Sequence, residues 1–248
     1  MLPIDIRQSA MMMAAVAIAA TAFASESMAA VPAAEIEVAA AGGTSILTVG
    51  TVTGSACNGS GGCESTTSKA AASLNVSTSG STSGNNPANA TGSAQITVYY
   101  AITGPVKNTA VPLVISGKAE TSAKGPDAEG LAYIEYNDGG LYTCSSTVTG
   151  PCGAEASSGS LNGVVFTNNF SGGLYDLQVI VSGGSTLGTG KFSARISGVT
   201  LSIEPSWLAA NPGYKLKFSA GIHVAGLTAS CELGEGDEIE LTCGSDDP

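Results

Sequence analysis

Runs in which every second residue follows a period-two pattern recur from Ser93 to Ile203, and they constrain the fold more than any other feature of the chain. Ile96, Val98, Tyr100 and Ile102 fall on one face of an extended segment, and the pattern returns after Gly104-Pro105 at Val111, Leu113 and Ile115. Further runs lie at Leu131, Tyr133 and Glu135, at Leu177, Val179 and Val181, at Phe192, Ala194 and Ile196, and at Val199, Leu201 and Ile203. Gly, Pro, Asn or Asp bound these runs, and clusters such as Asn137-Asp138-Gly139-Gly140 and Ser182-Gly183-Gly184 predict turns. The phase slips at Ser197-Gly198, which predicts a bulge or a tight break.

Helical patterning beyond the N-terminus is confined to Ala-rich patches at Ala33–Ala41 and Lys69–Ser73. One helical turn is predicted at Pro205–Ala210, opened by Pro205-Ser206 and ended by Asn211-Pro212-Gly213. Many short strands with regular turns predict an all-β fold, an antiparallel β-sandwich of jelly-roll or Ig-like type. We expect a single domain over residues 31–248 rather than two divided near Lys124-Gly125-Pro126. The Ser, Gly, Thr and Asn-rich stretch from Cys57 to Asn89 has little apolar content apart from Leu74 and Val76. Its tract Ser77–Asn89 predicts a flexible loop at about residues 77–92.

Charged residues make up 12% of the chain and hydrophobic ones 43%, which suits a packed core rather than disorder. With 33 Gly and only 5% aromatics, that core must be built from small side chains. Twenty acidic residues against nine basic ones give a formal charge of −11. Nine scattered cations predict no basic face, which argues against nucleic-acid binding. The single histidine, His223, excludes HExxH zinc sites and any centre needing two imidazoles.

Arg7 precedes an uncharged run from Ala10 to Ala24, shorter than the roughly 20 apolar residues a bilayer span requires. Ala22-Phe23-Ala24 supplies an Ala-x-Ala cleavage site and Ser27-Met28-Ala29 a second. The segment therefore reads as a signal peptide over residues 1–24, with cleavage as late as residue 30. No later stretch approaches a membrane span, so the mature chain is expected to be secreted, extracellular or at the surface of a bacterial cell. Six cysteines form three close pairs, Cys57 with Cys63, Cys144 with Cys152, and Cys231 with Cys243. Of fifteen possible connectivities we favour three local loops, and the absence of CxxC argues against a metal cluster.

Catalytic constellations are not evident. The chain has no Gly-x-Ser-x-Gly elbow and no Ser-x-x-Lys, and any triad would need His223 in the strand-like segment Gly221–Gly226. Gly188-Thr189-Gly190-Lys191 fails the phosphate-loop template because Phe192 follows the Lys. Glu135, Asp138, Asp176 and Glu204 lie near predicted strands, but no pair of them stands out as a glycosidase couple. The acidic run Glu232, Glu235, Asp237, Glu238 and Glu240 offers oxygens for calcium, with Glu235, Asp237 and Glu238 as candidate ligands. Its spacing is not DxDxDG, so a solvated acidic edge is the competing reading. Trp207 and Tyr214 are the candidate ligand-binding aromatics, joined as possible sugar-stacking rings by Tyr99, Tyr100, Tyr133 and Tyr136. Tyr133 and Tyr136 must point to opposite faces of one strand.

Residues 163–225 carry a Tyr-containing strand preceded by Gly (Ser171-Gly172-Gly173-Leu174-Tyr175), then an Ala, Ser and Gly-rich strand. These lead into Ile203-Glu204-Pro205-Ser206, Asn211-Pro212-Gly213-Tyr214 and Phe218-Ser219-Ala220-Gly221. The segment resembles exported bacterial proteins that carry a PEP-CTERM sorting signal. That resemblance implies an extracellular β-sandwich associated with the cell envelope or a polysaccharide matrix, and implies no reaction. The family's C-terminal Pro-Glu-Pro, membrane helix and basic tail do not match the acidic run ending at Pro248, so release or loose surface attachment is expected. The expected function is a non-enzymatic structural or adhesive one, with extracellular polysaccharide or other surface proteins as partners. A carbohydrate-binding module, with or without calcium as its cofactor, is the alternative, and a secreted hydrolase the third reading. Open sheet edges would also permit self-association.

Overall fold

The computed structural model describes residues 30–57, 61–84, 88–136, 139–147, 157–168, 173–186 and 188–222, with backbone alone at 157–159 and 164–168. Two antiparallel sheets pack face to face. The first runs in the order β2 (Thr44–Ile46), β1 (Glu35–Ala40), β6 (Ala90–Thr103), β11 (Tyr175–Ser185), β8 (Ala128–Tyr136) and β9 (Gly139–Ser146). A further strand, β13 (Lys215–Phe218), pairs with the far end of β6. The second sheet runs β10 (Ser157–Asn168), β7 (Ala110–Lys124), β12 (Lys191–Ile203), β5 (Asn75–Ser83), β4 (Cys63–Ala71) and β3 (Gly50–Cys57).

Eight consecutive strands, β5 to β12, stand in the orders β5-β12-β7-β10 and β6-β11-β8-β9. The chain changes sheet at every step among them except β8 to β9, which is the double Greek key of a jelly roll. Strands from both sides of Lys124-Gly125-Pro126 therefore contribute to both sheets.

Period-two patterning positions the core where the sequence predicts it. Ile96, Val98, Tyr100, Leu113, Ile115, Leu177, Val179, Ile196 and Leu201 are all buried between the layers. Register shifts between Ser197 and Thr200, where Gly198 takes a left-handed φ of 61°, so both halves of β12 direct their apolar residues inward. The helical turn is α1 (Pro205–Ala210).

Three expectations require correction. Ser77–Ser83, expected within a flexible loop, belongs to strand β5, and β6 begins at Ala90. Its inward residues Val76, Thr78 and Thr82 are buried, but two of these carry hydroxyls, so no hydrophobic alternation marks the strand. The Ala33–Ala41 patch contains strand β1, and Lys69–Ala71 ends β4. Ser182-Gly183-Gly184, expected as a turn, runs straight through β11.

Gly183 allows close approach of the layers. A Cβ built on it would lie 2.3 Å from the ring of Phe192, which projects from β12 in the opposite sheet. Gly92 of β6 likewise faces Thr66, Ser68 and Thr78, and Gly130 of β8 faces the backbone carbonyl of Ser193. Small side chains and hydroxyls hold this end of the sandwich together. Thr82 bonds Ser185 at 3.1 Å and Thr121 bonds Ser145 at 2.9 Å, each across the two sheets. These bonds satisfy polar groups that would be costly to bury alone.

Cys57 and Cys63 are directly opposed at the end of the β3–β4 hairpin where the chain passes from one strand to the other, and they form a disulfide, as the local-loop scheme expects. Cys144 is also disulfide-bonded, to a cysteine outside the described residues. Cys152, Cys231 and Cys243 lie outside them, as does the signal segment.

Candidate functional site

Strand alternation turns hydroxyl-bearing residues of five neighbouring strands onto the outer face of the second sheet. In register, one row runs Ser122, Ser193, Ser79, Thr67, Thr53 across β7, β12, β5, β4 and β3. The next row runs Lys124, Lys191, Ser81, Ser65, Ser55, and the row on the other side runs Glu120, Arg195, Ser77, Lys69, Thr51. Strand geometry sets these groups about 4.8 Å apart across the sheet and about 6.8 Å apart along each strand.

Lys118, opposite Ser197 and Ser160, extends the face toward β10. Five of the nine basic residues of the chain, Lys69, Lys118, Lys124, Lys191 and Arg195, thus share one surface, and all five are exposed. Glu120 is the one carboxylate among the described residues of this face. Among those residues none of the five cations is held in an ion pair. This corrects the expectation that the cations are scattered and form no basic face.

Lys124 and Lys191 are direct cross-strand partners. Like charges placed opposite each other on a sheet repel. They border a groove of about 480 Å³ floored by Ser79, Ser81, Ser122 and Ser193.

The outer face of the first sheet has the opposite character. It bears Glu35 and Glu37 from β1, Glu129 and Glu135 from β8, and Asp176 from β11; Lys215 and Lys217 of β13 lie at one end. Side-chain hydrogen bonds order its centre. Gln95 Nε2 donates to Gln178 Oε1 at 3.1 Å, and Gln178 Nε2 donates to Asp176 Oδ2 at 2.8 Å. Tyr99 donates its hydroxyl to Glu35 Oε1 at 2.6 Å, and this bond to a carboxylate raises the phenol above its ordinary pKa.

Tyr133 lies opposite Tyr142, and Tyr142 is 71% exposed. Burial, and secondarily Glu135, raises the pKa of Tyr133. Tyr136 faces inward against the core, as the two-residue offset from Tyr133's neighbour requires.

Trp207 and Tyr214 do come together, as an end plug of the sandwich. Their rings meet edge-on, centroids 4.9 Å apart, and Tyr214 is buried with its hydroxyl donated to the Val106 carbonyl at 3.1 Å. Such packing leaves no open Tyr214 face on which a sugar could stack. Glu204 caps α1, accepting from Ser206 Oγ at 2.7 Å and from the Trp207 amide at 2.6 Å. Those bonds, led by the Ser206 hydroxyl, lower its pKa.

Glu135 lies opposite Gln178 in the strand register, and Asp176 opposite Tyr99, so the structure does not pair either with Glu204 as a catalytic couple. Asp138, His223, Glu235, Asp237 and Glu238 lie outside the described residues. Among the described residues no group of three or more His, Cys, Asp or Glu is placed to hold a metal, and no helix is long and apolar enough to cross a membrane. Comparison with known proteins finds no matching family and no matching curated protein.

Sequence reasoning missed the cationic hydroxyl face and Tyr142. Once β4 and β5 are read as strands, the alternation Ser77, Ser79, Ser81 and Ser65, Thr67, Lys69 reveals the first of these.

Proposed function

We propose that this chain is an exported, non-enzymatic β-sandwich with a structural or adhesive role at a bacterial cell surface or in extracellular matrix. The observation that carries this reading is the broad outer face of the second sheet, where hydroxyls and five cations stand in rows across open, nearly uninterrupted strands. Such a surface suits an extended polymer better than a small substrate, which needs a concave, mostly apolar pocket. The N-terminal segment and the resemblance of residues 163–225 to exported surface proteins support the location. The fold itself carries no functional weight, since jelly rolls serve unrelated tasks.

Affinity electrophoresis of the full chain through gels containing extracellular polysaccharides, with a parallel hydrolase screen, tests the reading. Retardation without turnover is expected; turnover of any polymer by the purified protein refutes it.

A second reading, a carbohydrate-binding module for neutral glycans, is favoured by the Tyr133–Tyr142 pair beside Gln95 and Gln178. Ring faces and amides are the groups that sugars use. Tyr142→Ala should abolish retardation by neutral glycans if this face binds them, whereas Trp207→Ala tests the end plug. Repeating both with and without calcium tests the contribution of Glu235, Asp237 and Glu238.

A further inference from the structure

We infer that the outer face of the second sheet binds a linear acidic polysaccharide, with Lys124, Lys191 and Arg195 contacting its anionic groups and the flanking Ser and Thr hydroxyls its sugar hydroxyls. The inference rests on the adhesive reading and specifies its partner. Three features of the face point to a polyanion.

First, the charge is local. The chain carries −11 in total, yet this face holds five cations and one carboxylate among its described residues. At physiological ionic strength charges beyond about 8 Å are screened, so a ligand lying on the face meets the local excess of positive charge. Second, Lys124 and Lys191 oppose each other across adjacent strands, and an anion seated between them in the groove relieves their repulsion. Third, the cations are spaced along the sheet rather than gathered at one point. Lys191 and Arg195 lie four residues apart on the same face of β12, about 13 Å along the strand, and Lys69 lies two strands from Arg195. A repeating anion can satisfy such positions in succession; a single small anion cannot.

Sugar carboxylates fit this face better than nucleic acid does. None of its described side chains is aromatic, and binding of single strands draws on stacking of bases upon aromatic rings. Its hydroxyls, by contrast, are matched donors and acceptors for sugar hydroxyls.

The test uses the full chain with polygalacturonate as the acidic polymer, dextran as the neutral one and single-stranded DNA as the non-sugar polyanion. Two double variants each remove two positive charges: Lys124→Gln with Lys191→Gln on the proposed face, and Lys215→Gln with Lys217→Gln on the other sheet. Polygalacturonate binding that falls with added salt, weakens about tenfold in the first variant and changes less than twofold in the second supports the inference. Equal losses in both variants would overturn it in favour of unspecific charge attraction. Binding to DNA as tight as to polygalacturonate would overturn the sugar assignment.

Two other results would overturn this inference while leaving the adhesive reading intact. One is binding to dextran alone. The other is concentration-dependent self-association in light scattering, lost both with the Lys124 and Lys191 changes and with Glu35→Gln plus Glu37→Gln, because the occupant would then be the acidic face of a second copy. Failure to bind any polymer, with no self-association, overturns both readings together.

Discussion

Replacing Gly183 by Ala should destabilise the sandwich, whereas the same change at the next residue should not. The two glycines are adjacent on β11 and turn to opposite sides of the sheet. At Gly183 the added methyl would sit 2.3 and 2.7 Å from Phe192 ring carbons and 2.9 Å from the Glu129 carbonyl oxygen. At Gly184 the nearest atom would be the Ala90 carbonyl oxygen at 3.5 Å, an ordinary contact. Both substitutions gain about 0.4–1 kcal/mol by restricting the unfolded chain. Only the first also incurs an overpacking cost, of about 1–3 kcal/mol, because Phe192 is buried and its ring cannot swing into solvent.

The two variants should therefore differ by about 2 kcal/mol, which for a chain of this size is a gap of about 4–8 °C in Tm. Thermal unfolding followed by far-ultraviolet circular dichroism at one protein concentration measures it. Adding Phe192→Leu to each variant sharpens the test. The smaller side chain vacates the space the methyl needs, so the combination with Gly183→Ala should be at least about 0.5 kcal/mol less damaging than the sum of the single changes. If Gly183→Ala melts at or above Gly184→Ala, or if the double variant is simply additive, close contact between Phe192 and β11 does not set the separation of the layers.

Opening the Cys57–Cys63 bond with paired Ser substitutions should cost roughly 2 kcal/mol, the loop-closure value for so short a loop, and lower Tm by about 4–8 °C in non-reducing melts. Glu204→Ala should flatten the acid limb of stability: its lowered pKa contributes stability that is present above the ordinary glutamate range and lost as pH falls through the folded value, so melts between about pH 5 and pH 3 should lose their dependence on this residue. Tyr99→Phe should flatten the alkaline limb, because a raised phenol pKa contributes stability present below the ordinary tyrosine value and lost as pH rises through the folded one; melts above about pH 10 report it.

How far the sequence could be read depended on what each strand turns inward. β6, β7, β11 and β12 bury Ile, Val and Leu at alternate positions, so period two is written in hydrophobicity. β4 and β5 bury Thr66, Ser68, Thr78 and Thr82 at those positions and expose Ser and Thr at the others, so inner and outer residues have nearly the same polarity. What distinguishes Ser68, Thr78 and Thr82 is a partner, as in the 2.9 Å bond between Ser68 and Thr78, and a partner becomes visible only once the strands are paired; the Thr66 hydroxyl is buried without one among the described residues. The turn expected at Ser182-Gly183-Gly184 failed for a related reason. Glycine marks a turn when its φ is needed, but Gly183 is required for its missing side chain, and that need belongs to Phe192 in another strand. The bulge at Ser197-Gly198 was legible because the phase of the aliphatic residues themselves changes there.

The candidate site was hidden by the same averaging. Lys69, Lys118, Lys124, Lys191 and Arg195 come from three strands and look dispersed in a chain whose net charge is −11. Two-layer architecture separates what the total combines. Each outer face is turned away from the other, with the layers about 10 Å apart and the screening length about 8 Å, so a partner on one face responds little to charges on the other. The carboxylates of Glu35, Glu37, Glu129, Glu135 and Asp176 accordingly do not cancel the cations of the second sheet for a ligand lying against it. Net charge governs how the whole molecule approaches a distant polymer; the face governs what it holds on contact. An acidic protein can therefore hold a polyanion through a single cationic face despite its net charge, and because those contacts are themselves ionic, the binding weakens as salt is added.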